Sequence, residues 1–179
     1  MLTSNRTSTR HVVLIGLMGS GKTTVGMALA ARLGRTFVDN DVVLEARAGR
    51  SAREIARAEG ADALHLREAE ALVFALSTTP PAVVAAAAAA PMETVAAAAM
   101  RGHEVVYLRA TSLVIAARLA SQSDDDGHRP FLAENARATL AAQFAARDDR
   151  YRSLATLVVD ADIEGPETVV DEITAALAP

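Results

Sequence analysis

The chain has no cysteine and no tryptophan, a single lysine, and few aromatic residues of any kind, four phenylalanines and two tyrosines. Without cysteine it forms no disulfide and builds no thiolate metal centre. It also lacks a basic excess. The formal net charge of −4 argues against broad nucleic-acid binding, which needs a positive face to displace counterions. No long apolar run free of charge is present. Residues 82–100 come closest, but they are alanine-rich and interrupted by Pro91 and Glu93, so no membrane span is expected. Residues 1–10, MLTSNRTSTR, lack the apolar segment of a signal peptide and are expected to be disordered. A soluble, cytoplasmic protein follows as the expectation.

What is present is apolar and slim. Half of the 179 residues are hydrophobic and many of those are alanine, enough for one domain, 1–179, with closely packed helices. Of the 18 basic residues 17 are arginine, and the exception is Lys22. A compact ammonium where arginine prevails elsewhere suggests a position that a planar guanidinium fork cannot serve.

Strand-like and helix-like segments alternate along the chain. His11-Val12-Val13-Leu14-Ile15 is a short apolar run with β-branched residues, a buried strand. Lys22 to Leu33 follows as a helix stopped by Gly34. Thr36-Phe37-Val38 is a second strand ending at Asp39-Asn40-Asp41, and a helix from there closes at Gly49. Ser51 with Glu54 forms a capping-box pattern for the next helix, and residues 62–76 form another. After Pro80-Pro81, Ala82 to Ala86 is the third strand candidate. A helix from Pro91 to Gly102, a strand Glu104–Leu108, a helix Ser112–Ser121, a long helix 133–151, a strand 157–159 and a helix 167–177 complete the order. Alternation of this kind specifies a three-layer α/β fold, with about five parallel strands between helices. Residues 122–132, QSDDDGHRPFL, are polar and turn-rich, and a mobile lid is expected over roughly 112–132.

The chemistry begins with Gly16-Leu17-Met18-Gly19-Ser20-Gly21-Lys22-Thr23, which satisfies G-x-x-x-x-G-K-[ST] between an apolar strand and a helix. Such a P-loop turns backbone N–H groups and a helix N-terminus toward phosphates. Gly16, Gly19, Ser20, Gly21, Lys22, Thr23 and Thr24 are therefore the expected nucleotide-binding residues. Lys22 would reach the β- and γ-phosphates of ATP, and the Thr23 hydroxyl would ligate Mg²⁺. Asp39 and Asp41 stand at the carboxyl end of a strand, where open α/β sheets bind ligands. They can serve a magnesium-bound water and a substrate hydroxyl, or Asp41 can simply cap the following helix.

Together these residues resemble shikimate kinases over nearly the whole chain. The resemblance rests on the P-loop, on Phe37-Val38-Asp39-Asn40-Asp41, and on Leu66-Arg67-Glu68-Ala69-Glu70 beside the family's Phe-Arg-x-x-Glu. It rests also on Arg129-Pro130-Phe131-Leu132 beside its Arg-Pro-Leu-Leu lid motif, and on Arg147 with Tyr151 beside its Arg-x-x-x-Tyr. The resemblance implies a phosphotransferase acting on an alcohol group, with ATP and Mg²⁺ and a small carboxylated substrate. Asp41 would hold the acceptor hydroxyl and act as base, and Asp39 would contact magnesium through water. Arg67 and Arg147 would bind the substrate carboxylate, with Glu70 orienting Arg67, and Arg129 would close over the phosphates as a catalytic cation.

The sequence departs from the family pattern at a Gly-Gly-Gly run, whose counterparts are Ala87, Ala88 and Ala89. Alanine costs about 1–2 kcal/mol wherever a left-handed backbone is needed. Leu66 stands for the family's phenylalanine, and the lid carries Asp124-Asp125-Asp126. The donor half is thus intact and the acceptor half altered. Shikimate is the leading acceptor. Another carboxylated polyol or cyclitol, or a nucleotide-binding homologue with little kinase activity, stands as the alternative.

Overall fold

A computed structural model describes residues 9–121, 136–162 and 165–178. The short apolar runs become strands because, flanked by helices, they bury both faces. β1 (Val12–Ile15) is wholly buried, as is β3 (Val83–Ala85), and β4 (Glu104–Arg109) is buried over its middle four residues. With β2 (Phe37–Asp39) and β5 (Leu157–Asp160) they form one five-stranded sheet in the order β2-β3-β1-β4-β5. Every pair is parallel, with Val12 beside both Val83 and Glu104. Near-continuous apolar strands are what a parallel sheet covered on both faces requires.

Helices α1 (Lys22–Leu33), α2 (Asn40–Ala48), α3 (Ala52–Glu59), α4 (Ala61–Leu76), α5 (Thr94–Ala99), α6 (Ser112–Ser121), α7 (Ala136–Leu154) and α8 (Pro166–Ala176) flank the sheet. Alanine serves their close packing: Ala30, Ala69, Ala75 and Ala96 join Leu14, Leu29, Leu72, Val84 and Val106 in the main core. Two expected elements shift. The helix expected from Pro91 to Gly102 is a 3₁₀ turn, Ala90–Met92, followed by α5, because Glu93 takes an extended conformation and starts the second piece. The long helix ends at 154 rather than 151, and its expected start at 133 lies outside the described residues. His11 precedes the first strand and is buried. Its ring accepts the Ala82 N–H and meets the Thr78 carbonyl, tying the entrance of β1 to that of β3.

The order of strands sets the position of the site. From β1 the chain moves outward through β3 to β2 on one side and through β4 to β5 on the other. Loops leaving the carboxyl ends of the strands diverge there, and a crevice opens above β1. Among the described residues no helix is long and apolar enough to cross a membrane. The acidic run 124–126, Arg129 and most of the expected lid lie outside the described residues.

Candidate active site

The loop after β1 is shaped by glycine. Gly16 has φ 148°, and a Cβ there would lie 2.7 Å from the Leu108 carbonyl oxygen. Gly21, with φ 101°, begins α1 in a left-handed conformation that other residues adopt at a cost. The loop folds Lys22 back over itself, its Nζ donating to the carbonyls of Gly16 and Leu17 at 2.9 Å each. Burial lowers the Lys22 pKa to about 8, against the opposing pull of Asp41, Asp39 and Glu68. The Ser20 hydroxyl is buried with no hydrogen-bond partner. A half-buried ammonium and an orphaned hydroxyl in a glycine-shaped loop at a helix N-terminus are the features of an anion cradle.

At the end of β2, Asp39 rather than Asp41 caps α2, its Oδ1 accepting the Asp41 N–H at 3.0 Å. The other oxygen, Oδ2, accepts from the Thr23 hydroxyl at 3.3 Å. Asp41 sits in the first turn of α2 and lines the cavity, where its charge acts on Lys22 and Glu68. Thr23 and Asp39 are thus brought together, while Asp41 lines the cavity near Glu68.

Helix α4 corrects two expectations. Arg67 and Glu70 do not reach the cavity. Arg67 donates through Nε and Nη2 to Glu59, clamping the end of α3, and Glu70 is exposed beside a small surface recess next to Arg47. The side chains inside the cavity are His65 and Glu68. Residues two apart on a helix are rotated by roughly 200°, so a register error of two exchanges the inner stripe for the outer one. The Arg-x-x-Glu spacing at Arg67 and Glu70 is coincidental. The carboxylate that enters is Glu68, and three positions before it stands His65, where the family motif has arginine. No local pattern beyond that i, i+3 spacing marks the pair.

Arg147 on α7 lines the same cavity. The helix that carries it is tied to β4 by the neighbouring Asp148, which accepts from Tyr107 at 2.8 Å and Arg109 at 3.2 Å on β4, and from Arg152 at 2.9 Å. Burial opposes ionisation of Asp148, yet the hydrogen bonds from Arg152 and Tyr107 and the charge of Arg109 hold its carboxyl below the usual range. Tyr151, buried against Tyr107, donates to the Ala88 carbonyl at 2.5 Å and so pins the alanine segment. Ala85 to Ala89 all line the cavity. Ala89 is right-handed, φ −87°, and carries no left-handed strain.

The cavity measures about 760 Å³. The phosphate loop divides it: Asp41, His65, Glu68 and Arg147 lie on the β2–β3 side, and Arg118, Ala161 and Pro166 on the β4–β5 side. Arg118 bonds to the carbonyls of Ser20 and Ala161 and roofs the loop from that side. As one arginine among 17, it has no sequence signature.

Electrostatically the β2–β3 side of the cavity is a coupled cluster. Burial and the nearby charge of Asp41 push the Glu68 carboxyl up to about 8, despite Arg147 and Lys22. His65 is held below its ordinary value by burial and by the charge of Arg147. An acid whose pKa is raised in the folded state leaves stability intact below its unfolded value of 4.5 and withdraws it as pH rises toward 8. Over that interval the chain is therefore expected to lose stability relative to Glu68→Gln. Denaturant unfolding of both proteins at pH 4.5, 6 and 8 measures this, and a gap that stays constant across the series contradicts it.

The model of the family described as shikimate kinase matches residues 18–178. A shikimate kinase of Thermobifida fusca is 39% identical over 92% of this chain and 93% of its own length. Shikimate kinase 2 of Yersinia enterocolitica is 37% identical, over 95% and 97%. The structure of Acinetobacter baumannii shikimate kinase in complex with shikimate superposes with a TM-score of 0.86 at 28% identity, covering 95% of this chain and 93% of that one.

Proposed function

The chain belongs to the shikimate kinase family, and from that premise we propose that it transfers the γ-phosphoryl group of ATP to a hydroxyl of shikimate. One observation supports this most: a single cavity joins the phosphate loop to the cluster Asp41, Glu68 and Arg147. The triphosphate lies on the loop, against Lys22 and the N-terminus of α1, with the nucleoside toward Arg118 and Pro166. The acceptor lies on the other side, its carboxylate toward Arg147, since a guanidinium matches two oxygens with parallel N–H donors. Glu68, its carboxyl pushed up to about 8, adds little repulsion to such an anion at neutral pH.

Asp41 receives the proton of the acceptor hydroxyl as that oxygen forms its bond to the γ-phosphorus. The bond from the γ-phosphorus to the bridging oxygen breaks and ADP departs. Such transfer depends on alignment and charge neutralisation more than on covalent participation by the protein. The Thr23 hydroxyl and the Asp39 carboxylate, two hard oxygen donors 3.3 Å apart, fit a magnesium ion completed by phosphates and water. When bound, the ion neutralises phosphate charge. Arg129 is proposed, on the resemblance alone, as a further cation toward the transferring group.

Two observations favour a second reading, a different carboxylated polyol or cyclitol: His65 in place of an arginine, and the half-buried methyl groups of Ala87 and Ala88 in the cavity wall. ADP release with Mg-ATP and a panel of shikimate, quinate and cyclitols separates the readings. Turnover confined to shikimate supports the first, and turnover on another acceptor alone overturns it. If the alanine methyls crowd shikimate, the triple change of Ala87, Ala88 and Ala89 to glycine lowers its KM. The looser unfolded chain costs roughly 0.4–1 kcal/mol of stability per site. An unchanged or higher KM counts against crowding.

A further inference from the structure

Arg53 lines the cavity, yet no family motif and no local pattern points to it. It sits in the first turn of α3, at the positive end of the helix dipole, where a cation without an anion is disfavoured. The first-turn acid that would offset it, Glu54, is engaged in the capping box with Ser51. The other carboxylate on the same helix, Glu59, is taken by Arg50 and Arg67. Among the described residues Arg53 has no ion-pair partner, and its Nε is buried without a hydrogen bond. A buried guanidinium donor left unsatisfied costs stability, so a ligand that satisfies it is bound the more tightly. The helix that carries it is also held in place. The capping box fixes the start of α3, Glu59 ties down its end, and Ile55 is fully buried among Leu44, Leu64 and Ala71. Within the acceptor compartment α4 offers His65 rather than a cation, so Arg147 alone would otherwise face the carboxylate.

We infer that Arg53 is a second acceptor-binding cation, which holds the carboxylate of the substrate together with Arg147 and takes the place left by His65. The inference rests on the proposed reading that the acceptor carries a carboxylate. It makes Arg53 a determinant of specificity of this chain's own, supplied from α3 instead of α4.

The test compares the full-length protein with Arg53→Gln and Arg53→Lys, using shikimate and its neutral methyl ester. A charge-assisted hydrogen bond lost from a desolvated site raises the KM for shikimate about 10- to 100-fold in Arg53→Gln. The KM for ATP stays unchanged, and Arg53→Lys recovers part of the loss. With the methyl ester, wild type and Arg53→Gln converge, a result that a merely structural role for Arg53 does not produce. Calorimetric titration of shikimate into both proteins gives the same comparison without turnover. If the wild type turns over shikimate and Arg53→Gln matches it, the inference fails and the proposed function stands. If shikimate binds the wild type without turnover and Arg53→Gln loses that binding, the inference stands and the proposed function fails. If the wild type neither binds nor phosphorylates shikimate, both fail.

Discussion

Lys22→Ala is expected to abolish turnover, lowering kcat by about 10³-fold or more, the scale of losing a preorganised charge at a transferring group. The loop positions Lys22 twice over, through the carbonyls of Gly16 and Leu17, so its ammonium is held where phosphate charge develops. Nothing else in the loop replaces it, because the remaining groups are neutral N–H donors and hydroxyls. The fold survives the change: removing a desolvated cation leaves no buried charge behind, and the unfolding free energy shifts by about 1 kcal/mol at most. Steady-state kinetics and a denaturation curve on the same preparation check both parts. Full activity in the variant contradicts the reading of the loop.

The second large effect belongs to the acceptor side. Asp41→Asn keeps the shape of the side chain and removes its basicity. Loss of a positioned general base lowers kcat by about 10²- to 10⁴-fold. ATP binding is expected to stay near wild type, because Asp39, not Asp41, caps α2 and faces Thr23. The same substitution withdraws a negative neighbour from Glu68, whose pKa then falls from about 8 toward the ordinary carboxylate value. NMR titration of Glu68 reads that shift. A variant that binds ATP poorly yet phosphorylates bound acceptor normally contradicts the division of labour between the two aspartates.

Much of this was legible in the sequence because it is local. The strand, glycine loop and helix around Lys22 are contiguous, and each constrains the others, so the phosphate site and the central strand emerge from 22 consecutive residues, 12–33. The parallel sheet follows from apolar runs that alternate with helices. The third strand was harder to read, since alanine favours helix in isolation. It is a strand because Val83 and Val84 lie between β1 and β2, buried on both faces.

The acceptor side was less legible, for two physical reasons. On α4 the letters Arg-x-x-Glu recur by chance two positions from the stripe that enters the cavity. Sequence alone does not fix the helix rotation that places His65 and Glu68 inside. Arg53 and Arg118 reach the cavity from helices distant in sequence from the phosphate loop, and in an arginine-rich chain neither stands out until the fold assembles them. The roles of the aspartates were separable only through the hydrogen bond from the Asp41 N–H to Asp39.

The central claim is that one cavity aligns a nucleotide phosphate with a hydroxyl of a carboxylated acceptor. Phosphorus NMR with mass spectrometry of the products tests it most directly, on the full chain incubated with Mg-ATP and shikimate. ADP and a shikimate monophosphate are expected in equal amounts, with neither formed by Lys22→Ala. ADP with free phosphate and unmodified shikimate, or no ADP at all, would contradict it.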